Sequence, residues 1–241
     1  MLYKLINLVF FALMVLANYL ANALPINGKT TGQLSAQYPN LFVPAGITFS
    51  IWGVIYFMLL IFIVVQFLGN NKIVIQQIGW LFAITCVLNA LWIIAWHYEW
   101  VTLSVIIMLG LLAALVLINL SLKGIPNGII KASFGVYLGW ICIATIANIT
   151  AWLVHIDWGA WGMSHQFWTI TMIAIGAIIT IMAISQLNNP FIGLAVIWAF
   201  IGILLKRHTD FQTIAIAAVI GAVLLAAVTV FLFLKGTERV I

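Results

Sequence analysis

The chain has 241 residues, of which 66% are hydrophobic and only 5% charged, and its mean hydropathy is +1.26. Roughly a quarter of residues are charged in soluble domains, so this composition excludes a water-soluble globular protein and indicates a polytopic membrane protein. Nine basic and four acidic residues give a net charge of +5, but they stand almost wholly between apolar runs, where they report orientation and not nucleic-acid binding.

Apolar runs long enough to cross a hydrocarbon core of about 30 Å recur along the chain, and the alternating polarity of a β-barrel is absent. The pattern predicts an all-α, polytopic transmembrane bundle of about eight helices. The first run, Leu5 to Leu24, ends in Ala21-Asn22-Ala23, which mimics a signal-peptidase site, but its length favours a retained helix. The polar stretch from Pro25 to Asn40 is the longest non-apolar segment, and so the natural lid or mouth of any site.

A second helix is expected from Pro44, a residue suited to a first turn, to Leu68, with its stop at Gly69-Asn70-Asn71-Lys72. Within it Phe49, Trp52 and Tyr56 follow at i, i+3 and i+7 and share one face. The third helix, Val74 to Trp96, carries a stripe of Thr85, Asn89, Trp92 and Trp96 and ends in the aromatic turn His97-Tyr98-Glu99-Trp100. The fourth spans Val101 to Leu122. The fifth, Ile130 to His155, lines Tyr137, Trp140, Ala144, Asn148 and Trp152 along one face. A sixth runs from His165 to Leu187, a seventh of marginal length from Pro190 to Leu205, and an eighth, rich in Ala and Gly, from Phe211 to Leu234. Pro44 and Trp52 are spaced like Pro190 and Trp198, but one shared pair in a Trp-rich chain does not establish a repeat.

With eight crossings, Lys4, Lys72, Lys123, Lys131, Lys235 and Arg239 fall on one side and Lys29, Lys206 and Arg207 on the other. That asymmetry places both termini in the cytoplasm. The Lys206-Arg207 pair runs against it and keeps a seven-helix count open.

No ionisable residue sits deep inside an apolar run, which disfavours proton-coupled transport. There is no mid-helix Lys for a Schiff base, no metal-binding His and Glu pair and no Ser/His/Asp set, so neither catalysis nor a metal is expected. Cys86 and Cys142 read as small buried hydrophobes. His97 with Glu99, and His155 with Asp157, read as interfacial anchors, and Trp100, Trp158 and Trp161 as an interfacial belt. Asn89 and Asn148 need partners in hydrocarbon, on neighbouring helices or on a ligand, and both hold if the amides fix the helices that shape a cavity. Trp52, Trp92 and Trp140 lie deeper, where packing and a ligand pocket are both open readings.

Pro44 with Trp52 and Tyr56, Leu88-Asn89 with Trp92, and Trp140, Ala144 and Asn148 at spacings of four together resemble the tryptophan-rich sensory protein family, also called the translocator protein or peripheral benzodiazepine receptor family. The resemblance covers residues 1–156 and implies a five-helix core whose first long loop covers a pocket. Residues 157–241 would then add a three-helix transmembrane segment able to pack on that core, dimerise or carry a separate function. By carry-over, Trp52, Tyr56, Asn89, Trp92, Trp140, Ala144 and Asn148 would line or shape the pocket, and Phe49 and Tyr137, on the same helical faces, join them as expected ligand-binding residues. The family's sterol pattern, a Tyr followed by a basic residue, is missing after Trp152, so sterol binding is not implied.

The resemblance implies a non-enzymatic receptor, sensor or carrier for a planar hydrophobic ligand, tetrapyrrole-like, with no resident cofactor. It would be a multi-pass protein of a bacterial plasma membrane whose partners are the lipid bilayer, the ligand and a possible second copy of itself. Two alternatives stand beside it: a small-molecule permease built with the added helices, and a structural membrane protein with no ligand.

Overall fold

The computed structural model describes residues 1–24, 26–68 and 71–237. Pro25 at the head of the first loop, the Gly69-Asn70 helix stop and Arg239 of the charge count lie outside the described residues. The helices, in chain order, are α1 (Leu2–Ala23), α2 (Thr31–Gln37), α3 (Ile51–Val65), α4 (Lys72–Ile78), α5 (Leu81–His97), α6 (Val101–Ser121), α7 (Ile129–His155), α8 (His165–Leu187), α9 (Phe191–Arg207) and α10 (Gln212–Thr237). Among the described residues there is no strand. The expected all-α membrane bundle is what the structure shows.

Among the described residues six helices are long and apolar enough to cross a membrane, and the bent pair α4 and α5, taken as one span, makes a seventh. Of the two that remain, α2 is a seven-residue loop helix, and α9 has 17 residues and rises about 25 Å, a few ångström short of the hydrocarbon thickness.

The bundle is organised around α7. Of the residues in its most apolar stretch 83% are buried, against 22% to 39% in the other five long spans, so α7 touches protein on nearly all sides while they face outward in part. It packs between α6 and α9, with α3 and α8 completing its surround. In lipid there is no hydrophobic gain from helix association, so close approach has to supply contact energy. Gly135 and Gly139 provide it on the α9 side. A Cβ on Gly139 would overlap the Ile192 carbonyl, and one on Gly135 would stand 2.7 Å from the Asn189 amide. On the other flank of α9, Gly193 takes Thr229 of α10, and Gly221 of α10 takes the Phe200 ring.

An amide knot locks the same seam. Asn188 caps α8 in the left-handed region (φ 50°) and swings the next residue inward. Asn189 Nδ2 then donates to Asn119 Oδ1 (2.7 Å) and the Lys131 carbonyl (2.9 Å), while Asn119 donates to the Phe134 carbonyl (3.1 Å). The turn between α8 and α9 is thereby plugged into α6 and α7.

Three local expectations need correction. The helix expected to run unbroken from Val74 to Trp96 is bent by 49° between α4 and α5. The break falls at Gly79, whose φ of 53° and ψ of −127° suit a residue without a Cβ. Beside it the Trp80 ring meets Tyr3 edge-on at 5.7 Å. Pro44 precedes its helix: Ala45 is extended and leads into a 3-10 turn, Gly46–Ser50, that continues as α3. The Ala45 N–H donates to the Gly202 carbonyl (3.0 Å), which holds this stretch flat against α9. The loop after α1 is not wholly irregular either, because Thr30 and Gln33 form a capping box that starts α2.

Candidate functional site

Two amide side chains pin α1 to the end of α3. Asn7 Nδ2 donates to Gln66 Oε1 (3.1 Å) and Gln66 Nε2 donates to the Lys4 carbonyl (3.0 Å). Toward its other end α1 stays on α5 while a cavity of about 1410 Å³ separates it from α3. That volume exceeds the roughly 300–1,000 Å³ of drug-sized sites. Val15, Asn18 and Tyr19 of α1 form one wall, and Phe49, Trp52, Tyr56 and Trp92 the other.

The second wall is a continuous aromatic surface. Trp52 stacks on Tyr56 (5.6 Å between centroids, 22° between planes) and on Trp92 (6.2 Å, 27°), and Trp92 stacks on Trp96 (6.1 Å, 18°). Tyr137 and Trp140 back it from α7, each edge-on to Trp52 at 6.2 and 6.1 Å, and Phe49 meets Trp140 edge-on at 6.0 Å. The helical spacings of α3, α5 and α7 thus bring six of the expected rings into one cluster. Four of them reach the cavity. Tyr137 and Trp140 lie behind, fully buried, with the Trp140 indole N–H unpartnered.

The expected amides are spent on the bundle itself. Asn18 donates to Asn89 Oδ1 (2.7 Å), and Asn89 donates to the Tyr137 hydroxyl (2.9 Å), tying α1, α5 and α7 together. The Trp92 indole N–H donates to Asn148 Oδ1 (3.0 Å), and Asn148 Nδ2 to Ser104 Oγ (2.9 Å), tying α5, α7 and α6. Neither Asn89 nor Asn148 is on the cavity wall, and nor is Ala144, half-buried on α7. Asn148 acts on the site at one remove, by fixing the Trp92 ring plane.

The roof is α2 with residues 38–44, and it is fastened on two sides. Lys29 Nζ donates to Glu99 (2.6 Å) and Asn27 Nδ2 to the His97 carbonyl (3.2 Å), joining the roof to the α5–α6 turn. Tyr38 packs on Trp96 and His155, and burial, with the Glu99 carboxylate nearby, raises its phenol above the ordinary value. On the far side the Arg207 guanidinium of α9 donates to the carbonyls of Asn40 (3.0 Å) and Leu41 (3.1 Å) and to Asp210 (3.1 Å), and the Trp198 indole donates to the Thr48 carbonyl (2.9 Å). His165, Gln166 and Lys206 close the cavity at that end. Among the described residues no group of His, Cys, Asp and Glu is placed to hold a metal.

The first helix was expected to border the pocket, but none of its wall residues was among the expected site residues, and the α8 and α9 contributions were not expected at all. The first had a signal: Asn7, Phe11, Met14, Asn18 and Ala21 fall on one helical face, and all five are buried. The second had a weaker one in the misplaced Lys206-Arg207 pair.

A family model of TSPO-like proteins matches residues 4–231, from the first turn of α1 into α10, so it takes in the last three helices along with the earlier crossings. No curated protein and no solved structure matches the chain. The match across nearly the whole length, on a chain with this aromatic wall beneath its first loop, shows that the protein belongs to the TSPO-like protein family.

Proposed function

We propose that this integral membrane protein is a receptor, sensor or carrier that binds a planar hydrophobic ligand, tetrapyrrole-like by family resemblance, in the cavity beneath the α2 roof. The stacked face of Trp52, Tyr56 and Trp92, turned toward open space, carries the reading. A flat π-system gains most from offset or edge contact with such rings, and a largely apolar cavity with few directed polar groups suits it. Binding is non-covalent, and no catalytic step is assigned. The loop charges support cytoplasmic termini, which puts the cavity at the outer face; the bacterial plasma membrane is read from the family resemblance.

The test is quenching of tryptophan fluorescence by protoporphyrin IX in purified, detergent-solubilised protein, with Trp52→Phe as the comparison. Saturable quenching weakened by the substitution supports the reading. Quenching that never saturates, or that ignores the substitution, means partition into micelles and returns the Trp residues to a structural role.

The break at Gly79 favours a second reading, a permease, since interrupted helices often build transport sites. It lies beside Tyr3 in the first turn of α1, at the opposite end of the bundle from the cavity, so the receptor reading comes first. Flux of the same porphyrin into proteoliposomes separates the two.

A further inference from the structure

The cavity has chemically unlike ends. Trp52, Tyr56 and Trp92 form the apolar one. At the other, the last turn of α9 and the first turn of α8 bring Lys206, Arg207 and His165 to the wall, and no Asp or Glu is among the described residues that line it. The two cations differ. Arg207 is 8% exposed, and its donors are taken by the Asn40 and Leu41 carbonyls and by Asp210. Lys206 is exposed, and among the described residues its ammonium bonds to no carboxylate, carbonyl or amide. Asp210 lies within electrostatic range of Lys206 but bonds to Arg207.

A lysine here needs a reason. The distribution of the other basic residues makes this the side on which cations are disfavoured, and Arg207 repays its position by holding the roof. Among the described residues Lys206 fastens nothing, yet it stands in the last turn of α9 on the wall of a largely apolar cavity. A cation there can pair with an anion that stays partly hydrated while an attached ring system enters the hydrocarbon level.

Resting on the ligand reading above, the geometry points to an anion subsite at Lys206, with His165 at the same end, that receives an acidic group on the edge of the planar ligand. The occupant is therefore a planar amphipathic acid, held by its ring on the aromatic wall and by its acid at the α9 end. Helices beyond the first five crossings then determine ligand choice, and uncharged rings of the same shape bind less well.

The experiment compares protoporphyrin IX with its dimethyl ester, which keeps the ring and removes the acids, on wild type, Lys206→Gln, Lys206→Arg and Trp52→Phe in nanodiscs. Reading each variant as a ratio to wild type cancels the difference in lipid partitioning. Lys206→Gln should weaken the diacid by about five- to tenfold, the value of one partly exposed charge-assisted contact, and leave the ester unchanged. Lys206→Arg should restore the diacid, and the melting temperatures of both Lys206 variants should equal that of wild type, because Lys206 makes no bond to the fold. Equal effects of Lys206→Gln on diacid and ester, or none on either, overturn the subsite while saturable binding sensitive to Trp52→Phe leaves the cavity reading intact. If neither compound saturates wild type, both inferences fall together.

Discussion

The seam between α7 and α9 and the gap between α1 and α3 are made from the same apolar alphabet, and they behave in opposite ways. At the seam, Gly135 and Gly139 bring backbones into contact, and Asn119, Asn189 and the Lys131 carbonyl leave no amide unused. At the gap, Asn7 and Gln66 tie α1 to the end of α3, and beyond that tie Val15, Asn18 and Tyr19 face the rings of Phe49, Trp52 and Tyr56 across open space. Hydropathy does not distinguish the two regions, since both are oily. Residue size and the destination of each amide do: small residues with satisfied amides close a contact, and half-buried rings held from behind keep one open.

That contrast can be broken from either side. The largest effect is expected at Gly139→Leu, where a side chain would have to displace the α9 backbone; overpacking against a main chain costs about 3 kcal/mol or more. It should appear as loss of monodisperse protein in detergent or a steep fall in melting temperature. Next comes Asn148→Leu, which strands the Trp92 indole and leaves Ser104 only its bond to the Val101 carbonyl, at a cost of about 1–2 kcal/mol in thermal stability. Ligand affinity should fall less than stability, since Asn148 is not on the wall. Trp52→Phe should invert that order, leaving the fold in place while porphyrin affinity drops about fivefold, or about 1 kcal/mol, through loss of indole contact area. Glu99→Gln is the mildest. The Lys29 and Glu99 side chains are 35% and 36% exposed, so the pair is worth about 0.5 kcal/mol, screened by salt. Its loss should show as faster proteolysis within α2 and faster ligand exchange at low salt, with melting temperature nearly unchanged.

Most of the fold was legible because the bilayer imposes it. A run of about 20 apolar residues has few options other than a spanning helix. The break at Gly79 was not legible, since glycine is common inside membrane helices and what marks this one is its backbone conformation, φ 53° and ψ −127°. At the site, the helical spacing of Phe49, Trp52 and Tyr56 predicted a shared face, and the structure puts that face on the cavity. Spacing left two fates open for Asn89 and Asn148, because an amide facing another helix and one facing a ligand have the same periodicity. In the structure Asn89 bonds to Asn18 and Tyr137, and Asn148 to Trp92 and Ser104, so both amides join helices around the cavity. The α9 contribution was beyond pattern reading, because nothing local to Lys206 and Arg207 says that residues 40 and 41 lie beside them.

The Arg207 clamp has a consequence for how the molecule responds. The roof belongs to the first part of the chain in sequence, yet two of its carbonyls hang from a guanidinium in α9, and the floor beneath it stands on α3 and α5. If the proposed ligand steadies the roof, it bears on the docking of α9, and the docking of α9 bears equally on the ligand. Thermodynamic linkage makes the exchange symmetric: if filling the cavity steadies α9 by some free energy, steadying α9 tightens the filling by the same amount. A signal could thus be read at a surface that never meets the ligand.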